Sequence, residues 1–219
     1  MKGRLGVLAA VMVVGVAAVV IVLARDEPAG PGDGPPRTVF LGDSITRGVS
    51  AETHGPSEQE SWVTYSVADP RSPWLLESNA GVFGDTLDQM WNRFEIEVLE
   101  PDPNAVVIMG GTNDVLQGLP TEESLTAVRR MVEAAQAADI EVWLVAPPPI
   151  DDGYARSIAP LVDAERELAA ELGVPFADPA DALAGPAGGW SPGLSFDGVH
   201  PNLDGARALA DAVLDDLDG

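Results

Sequence analysis

The chain has 219 residues, no cysteine, two histidines and a formal net charge of −23. That length supports one well-buried domain with additions or two small ones, and the absent thiols exclude disulfides, thiolate metal ligation and a lipid-modified cysteine. The negative excess repels nucleic acid and anionic lipid surfaces, so a nucleic-acid function is excluded and neutral or cationic ligands are favoured.

The N-terminus differs from the rest. Met1-Lys2-Gly3-Arg4 is basic, and Leu5 through Ala24 carries no charged or strongly polar side chain. As a helix that run spans about 30 Å, roughly the hydrocarbon thickness of a bilayer. Lys2 and Arg4 precede it and Arg25-Asp26-Glu27 follows it, an asymmetry that keeps the N-terminus cytoplasmic and sends the remainder across. Residues 1–25 therefore read as a single-pass membrane anchor, with the following domain outside the cytoplasm. A signal peptide is the alternative: Val22-Leu23-Ala24 offers a small-residue cleavage site, and cleavage would make the protein secreted, but the run exceeds the usual apolar core of roughly 7–15 residues. Residues 26–37 alternate Pro28, Pro31, Pro35 and Pro36 with Gly30, Gly32 and Gly34 and are expected to form an extended tether. The domain proper is expected over 38–219. Of the charged residues only Lys2, Arg4, Arg25 and Arg37, and Asp26, Glu27 and Asp33, precede it, so it carries the whole negative excess.

Within the domain, short apolar runs alternate with helical patterns. Strands are expected at Thr38–Leu41, Trp74–Glu77, Ala105–Met109, Glu141–Ala146 and Pro175–Ala177. Helices are expected at Ser61–Ala68, Thr86–Leu99, Thr121–Ala138, Ala155–Leu172 and Leu203–Leu217. In the third helix Leu125, Val128, Val132 and Ala135 recur at three- and four-residue steps; Asn202 is placed to cap the last, with Asp204 in its first turn. Strand–helix alternation predicts a mainly parallel sheet covered on both faces, a three-layer α/β domain.

The punctuation between these elements carries the chemistry. Ser44, in Gly42-Asp43-Ser44-Ile45-Thr46, follows the first strand; Gly84, in Asn79-Ala80-Gly81-Val82-Phe83-Gly84-Asp85, follows the second; Asn113, in Gly110-Gly111-Thr112-Asn113-Asp114, follows the third. In open α/β sheets ligands bind outside the carboxyl ends of the strands, so three such positions converge on one edge. A serine hydroxyl attacks only if a base takes its proton. Of the two imidazoles, His54 lies in a loop without evident support, whereas His200 follows Asp197 by three residues in Asp197-Gly198-Val199-His200, close enough for the carboxylate to hold the ring. The backbone N–H of Ser44, that of Gly84 and the side-chain amide of Asn113 are candidate donors to a developing oxyanion. Together these supply the parts of acyl transfer, although each alone has a plainer reading: a surface turn for Asp197 and His200, an ordinary turn for Gly84, a helix cap for Asn113. Asp43, Asp85 and Asp114 are expected to be structural, bonding nearby backbone N–H groups. Trp190 is a candidate pocket wall or simply packing, and Asp151-Asp152 a calcium pair or a solvated one.

Several mechanisms are struck out. There is no Gly-x-Ser-x-Gly elbow, and the only lysine is Lys2, which removes Ser-x-x-Lys sites and a phosphate-binding Gly-Lys loop. Two histidines without cysteine make no zinc site, so neither a metal nor a cofactor is expected.

With those residues in view, the sequence resembles the SGNH hydrolase family, also called GDSL esterases. The four marker blocks occur in order as Gly42-Asp43-Ser44-Ile45, the Gly84 segment, Gly111-x-Asn113-Asp114 and Asp197-x-x-His200. The resemblance implies Ser44 as nucleophile, His200 as base with Asp197 as its partner, and the Ser44 N–H, Gly84 N–H and Asn113 amide as the oxyanion hole. It also implies a flavodoxin-like sandwich with five parallel strands. Ile45 stands for the usual leucine, and Phe83 for a small residue, where it narrows the cleft. The family acts on lipids, thioesters, aryl esters and acylated sugars. The expectation is a monomeric, membrane-tethered esterase acting on neutral or glycan-linked small-molecule esters. A lipase, lysophospholipase or thioesterase is the alternative, and a non-catalytic binding module the third reading.

Overall fold

A computed structural model of the chain describes residues 34–154 and 156–217. The expected anchor over 1–25 and the tether up to residue 33 lie outside the described residues, among which no helix is long and apolar enough to cross a membrane.

Five parallel strands form the sheet: β1 (Arg37–Gly42), β2 (Leu75–Gly81), β3 (Ala105–Met109), β4 (Glu141–Val145) and β5 (Phe176–Ala177). Among the described residues eight α-helices surround them: α1 (Ser44–Arg47), α2 (Trp62–Ala68), α3 (Leu87–Asn92), α4 (Thr112–Gln117), α5 (Thr121–Ala137), α6 (Ala159–Leu172), α7 (Ala180–Leu183) and α8 (Leu203–Leu217). The strand order is β2-β1-β3-β4-β5. In this doubly wound order the direction of travel reverses between β1 and β3, and the loops leaving those two strands part there to open a crevice.

Central strands are buried on both sides, so they read as continuous apolar runs. Val39, Leu41, Val106, Ile108, Val142 and Leu144 pack on one face against Leu87, Met90 and Phe94, against Val128, Met131 and Val132 of α5, and against Leu168 of α6. Phe40, Val107, Met109 and Val145 pack on the other face against Trp62 and Val63 of α2 and Leu209, Val213 and Leu214 of α8.

The observed elements depart from expectation where side-chain pattern does not control the backbone. β2 runs to Gly81, beyond the expected end at Glu77. Its middle, Glu77-Ser78-Asn79, is polar because β2 is an edge strand, and the ladder to β1 holds it rather than an apolar face. The single helix expected over Thr86–Leu99 is broken: α3 ends at Arg93 (φ −111°, ψ 3°), and a π-helical stretch follows at Glu95–Leu99. α6 begins at Ala159 rather than Ala155, which leaves Pro160 in the first turn, where its missing N–H costs nothing. Asn202 does cap α8, its Oδ1 accepting from Asp204 N and Gly205 N at 3.0 Å each.

Candidate active site

β1 ends in Gly42, and the chain turns at once into α1. A Cβ on Gly42 would stand 2.1 Å from Thr46 Oγ1 and 2.8 Å from the Met109 carbonyl oxygen, so only glycine lets this turn fold back onto β3. Asp43 caps α1, its Oδ1 accepting from Ile45 N at 2.8 Å. Ser44 thereby sits at the β1/β3 switch point, 7% exposed.

His200 Nε2 lies 2.9 Å from Ser44 Oγ, across 156 positions of chain. Its Nδ1 is 2.7 Å from Asp197 Oδ2. The same carboxylate receives Val199 N at 2.9 Å and His200 N at 2.7 Å through its other oxygen. Burial pushes the Asp197 carboxyl up, but the imidazole and these two N–H groups outweigh it and hold the group below the usual carboxylate range. Ser195 pins the turn from beneath, donating to His200 O at 2.7 Å and accepting from Gly198 N at 2.9 Å. In the tautomer that gives Nδ1–H to Asp197, Nε2 is able to accept a proton from the serine hydroxyl.

The second corner of the site is built differently. Gly84 adopts φ +79° in a turn closed by Asp85 N to Val82 O at 3.3 Å, a conformation that suits a residue without Cβ. Among the described residues neither Ser44 N nor Gly84 N has an acceptor. Asn113 lies in the first turn of α4, whose cap is Gly111 and not Asn113 itself. Its Nδ2 donates to Asp85 O at 2.9 Å, while Asp43 Oδ2 stands 3.4 Å away, too far for a strong bond. One amide proton thus fixes the side chain to the Gly84 turn, and the other is left without a strong acceptor. Burial pushes Asp43 up to about 6, against the lowering by Ile45 N–H and His200.

Arg93, absent from the sequence reading, ties this corner together. Its Nε donates to Asp85 Oδ2 at 2.7 Å, and its two terminal nitrogens donate to Ala80 O at 2.8 Å and Gly42 O at 2.9 Å. One guanidinium therefore joins the end of β1, the end of β2 and the residue after Gly84. A signal was available: Arg93 falls three residues after Met90 on the stripe that buries Leu87, Met90 and Phe94, an unusual place for a charge. The expectation that the three aspartates bond nearby backbone holds for Asp43 only. Asp85 receives Arg93, and Asp114 receives Leu87 N at 3.0 Å and Ser124 Oγ at 2.7 Å from other elements.

The remaining candidates find plain places. Trp190 is buried in the aromatic side of the core, and its N–H donates to Asp151 Oδ1 at 2.9 Å, so it is packing and Asp151 its anchor. Among the described residues no cluster of three or more potential ligands is positioned to hold a metal ion. Phe83 is 40% exposed beside Gly84. His54 is not isolated: it meets Phe196 edge-on at 5.7 Å, and Phe196 stacks on His200 at 5.8 Å. Phe196, another residue the sequence reading missed, is marked only by its place directly before Asp197.

The fold and these motifs recur in known proteins. At 25% identity the chain is similar to a protein of the G-D-S-L family from Desulfitobacterium hafniense, over 82% of this chain and 98% of that one, with a TM-score of 0.70. It is similar to the lipase/acylhydrolase from Enterococcus faecalis at 26% identity, over 84% and 95% of the two chains, with a TM-score of 0.69. Among curated proteins it is 36% identical over 76 residues to the uncharacterized lipoprotein YqeF of Bacillus subtilis (strain 168), a match spanning 35% of this chain and about a third of that protein. The model of the GDSL-like lipase/acylhydrolase family matches residues 40–208. The chain belongs to that family and is an ester hydrolase of the SGNH/GDSL type.

Proposed function

We propose that this protein is a serine esterase working through an acyl-enzyme. Ser44 Oγ attacks the ester carbonyl as His200 Nε2 takes its proton. Asp197 keeps the ring in the required tautomer and stabilises the imidazolium. The negative oxygen of the tetrahedral intermediate is met by Ser44 N–H, Gly84 N–H and the second proton of the Asn113 amide. Collapse expels the alcohol, which takes the proton from His200. Water then attacks the Ser44 ester with His200 again as base, and release of the acid restores the enzyme. The observation that carries this reading is the unbroken line from Ser44 Oγ through His200 to Asp197, at 2.9 Å and 2.7 Å.

The substrate we infer is a neutral or glycan-linked ester met outside the cytoplasm. Support comes from the acidic domain, which disfavours anionic headgroups, and from the sequence of residues 1–25, read as an anchor that 26–37 tethers to a hydrolase domain over 38–219. The curated relative is called a lipoprotein, whereas this chain has no cysteine to acylate. One observation favours the lipolytic alternative: Val82 and Phe83, 41% and 40% exposed, stand directly before Gly84 and offer apolar surface to an acyl chain. A panel of short-chain and long-chain p-nitrophenyl esters and acetylated sugars separates the two readings. A preference for long chains defeats the glycan reading and leaves the esterase reading intact.

A further inference from the structure

A cavity of about 610 Å³ opens from Gly84 between α3, the end of α4 and the start of α5. Asn113 and Gln117 lie one turn apart on the same face of α4, so Gln117 stands about 6 Å beyond the amide assigned to the oxyanion. The groove therefore begins at Gly84, one of the proposed oxyanion donors, and continues past Gln117 and Leu119 to Glu123.

Its lining is polar in a particular way. Gln89 commits Oε1 to Thr86 N at 2.9 Å, which leaves its Nε2 donors unspent. Gln117 and Glu123 line the groove as exposed side chains, open to a ligand. Asp88 adds a second carboxylate, and no lysine or arginine lines the groove. The Arg156 guanidinium packs against Gly118 and lines a different cavity. Leu119, 38% exposed, supplies one apolar face. Amides offer donors and acceptors, and carboxylates accept only, so the complementary ligand presents many hydroxyls, some C–H surface and no negative charge. An extended acyl chain would strip water from these amides and carboxylates without replacing their bonds, and a phosphate would be repelled.

We infer that this groove is a subsite for the neutral saccharide portion of an acylated glycan, holding the sugar so that its ester reaches Ser44. The inference rests on the esterase reading and specifies which part of the substrate occupies which part of the cleft.

The test uses the full chain, an acetylated neutral oligosaccharide and p-nitrophenyl acetate. Wild type should favour the oligosaccharide ester in kcat/KM, and Gln117→Leu and Glu123→Lys should each reduce that preference about tenfold, the loss expected when one hydrogen bond to the sugar disappears. Circular dichroism checks that both variants fold. In Ser44→Ala, which cannot turn over, the deacylated oligosaccharide should still bind in an NMR titration, and Gln117→Leu added to it should weaken that binding. No preference in wild type, an unchanged preference in both variants, or a preference for long acyl chains overturns the subsite. Absence of turnover on every ester would instead sink the esterase reading, and the titration would still decide the groove.

Discussion

The two halves of the site hold their geometry by opposite means. The acid–base half is largely a local device: Asp197 binds the backbone of its own turn and the ring of His200, three residues away, while Ser44 Oγ, Tyr154 Oη and Asp151 N reach that turn from elsewhere in the chain. It is also partly open, with the His200 and Asp197 side chains 23% and 33% exposed. The oxyanion half has almost no local logic. Gly84, Asn113, Asp43 and Asp85 come from three different loops and are joined through Arg93 and a single amide proton. A turn that satisfies itself can be placed by one strand end and one helix. A corner assembled from three strand ends tolerates error in none of them.

This contrast can be broken by substitution, beginning with the largest effect. Ser44→Ala should lower kcat by roughly 10⁶ and abolish labelling by a fluorophosphonate; continued labelling of that variant would remove Ser44 as nucleophile. Asp197→Asn leaves the turn intact but offers the imidazole a donor, and should cost roughly 10⁴ in kcat. Asn113→Ala removes one oxyanion donor and should cost about 10²–10³ in kcat.

Arg93 separates the halves most sharply. Arg93→Ala loosens only the oxyanion corner, and a displacement near 1 Å there corresponds to up to about 10² in kcat with little change in KM. Arg93→Lys, able to reach fewer of the three acceptors, should fall between. If Arg93→Ala lowers the melting temperature but leaves kcat untouched, the arginine is structural and the two halves are not coupled through it.

The smallest effect is on stability alone. Glu165 is buried on α6, and its carboxyl is raised well above the ordinary value by burial, with Asp114 and Asp178 adding to the rise. The folded chain keeps a proton there that the unfolded chain releases, so this residue's contribution declines as pH rises above the ordinary glutamate range. Glu165→Gln should melt higher than wild type at pH 8, with the gap closing toward pH 4. A gap of constant size would assign the effect to packing instead of ionisation.

Much of this was legible before any coordinates. Continuous apolar runs announced the central strands because both their faces are covered, and the three-residue spacing of Asp197 and His200 is itself a contact distance within a turn. The chemistry of Ser44, Gly84 and Asn113 could be assigned to one edge because parallel strands deliver their following loops to the same end of a sheet. The length of β2 was not legible, since an edge strand held by backbone ladder bonds needs no apolar pattern to exist. Nor was the π-helical break after α3, nor the aromatic stack of Phe196 on His200. Arg93 was the principal omission. Residue type and sequence neighbours determine what a side chain is able to do, but which carbonyl it meets depends on two strand ends brought side by side. That meeting is decided by the order of strands in the sheet, and no spacing along the chain encodes it.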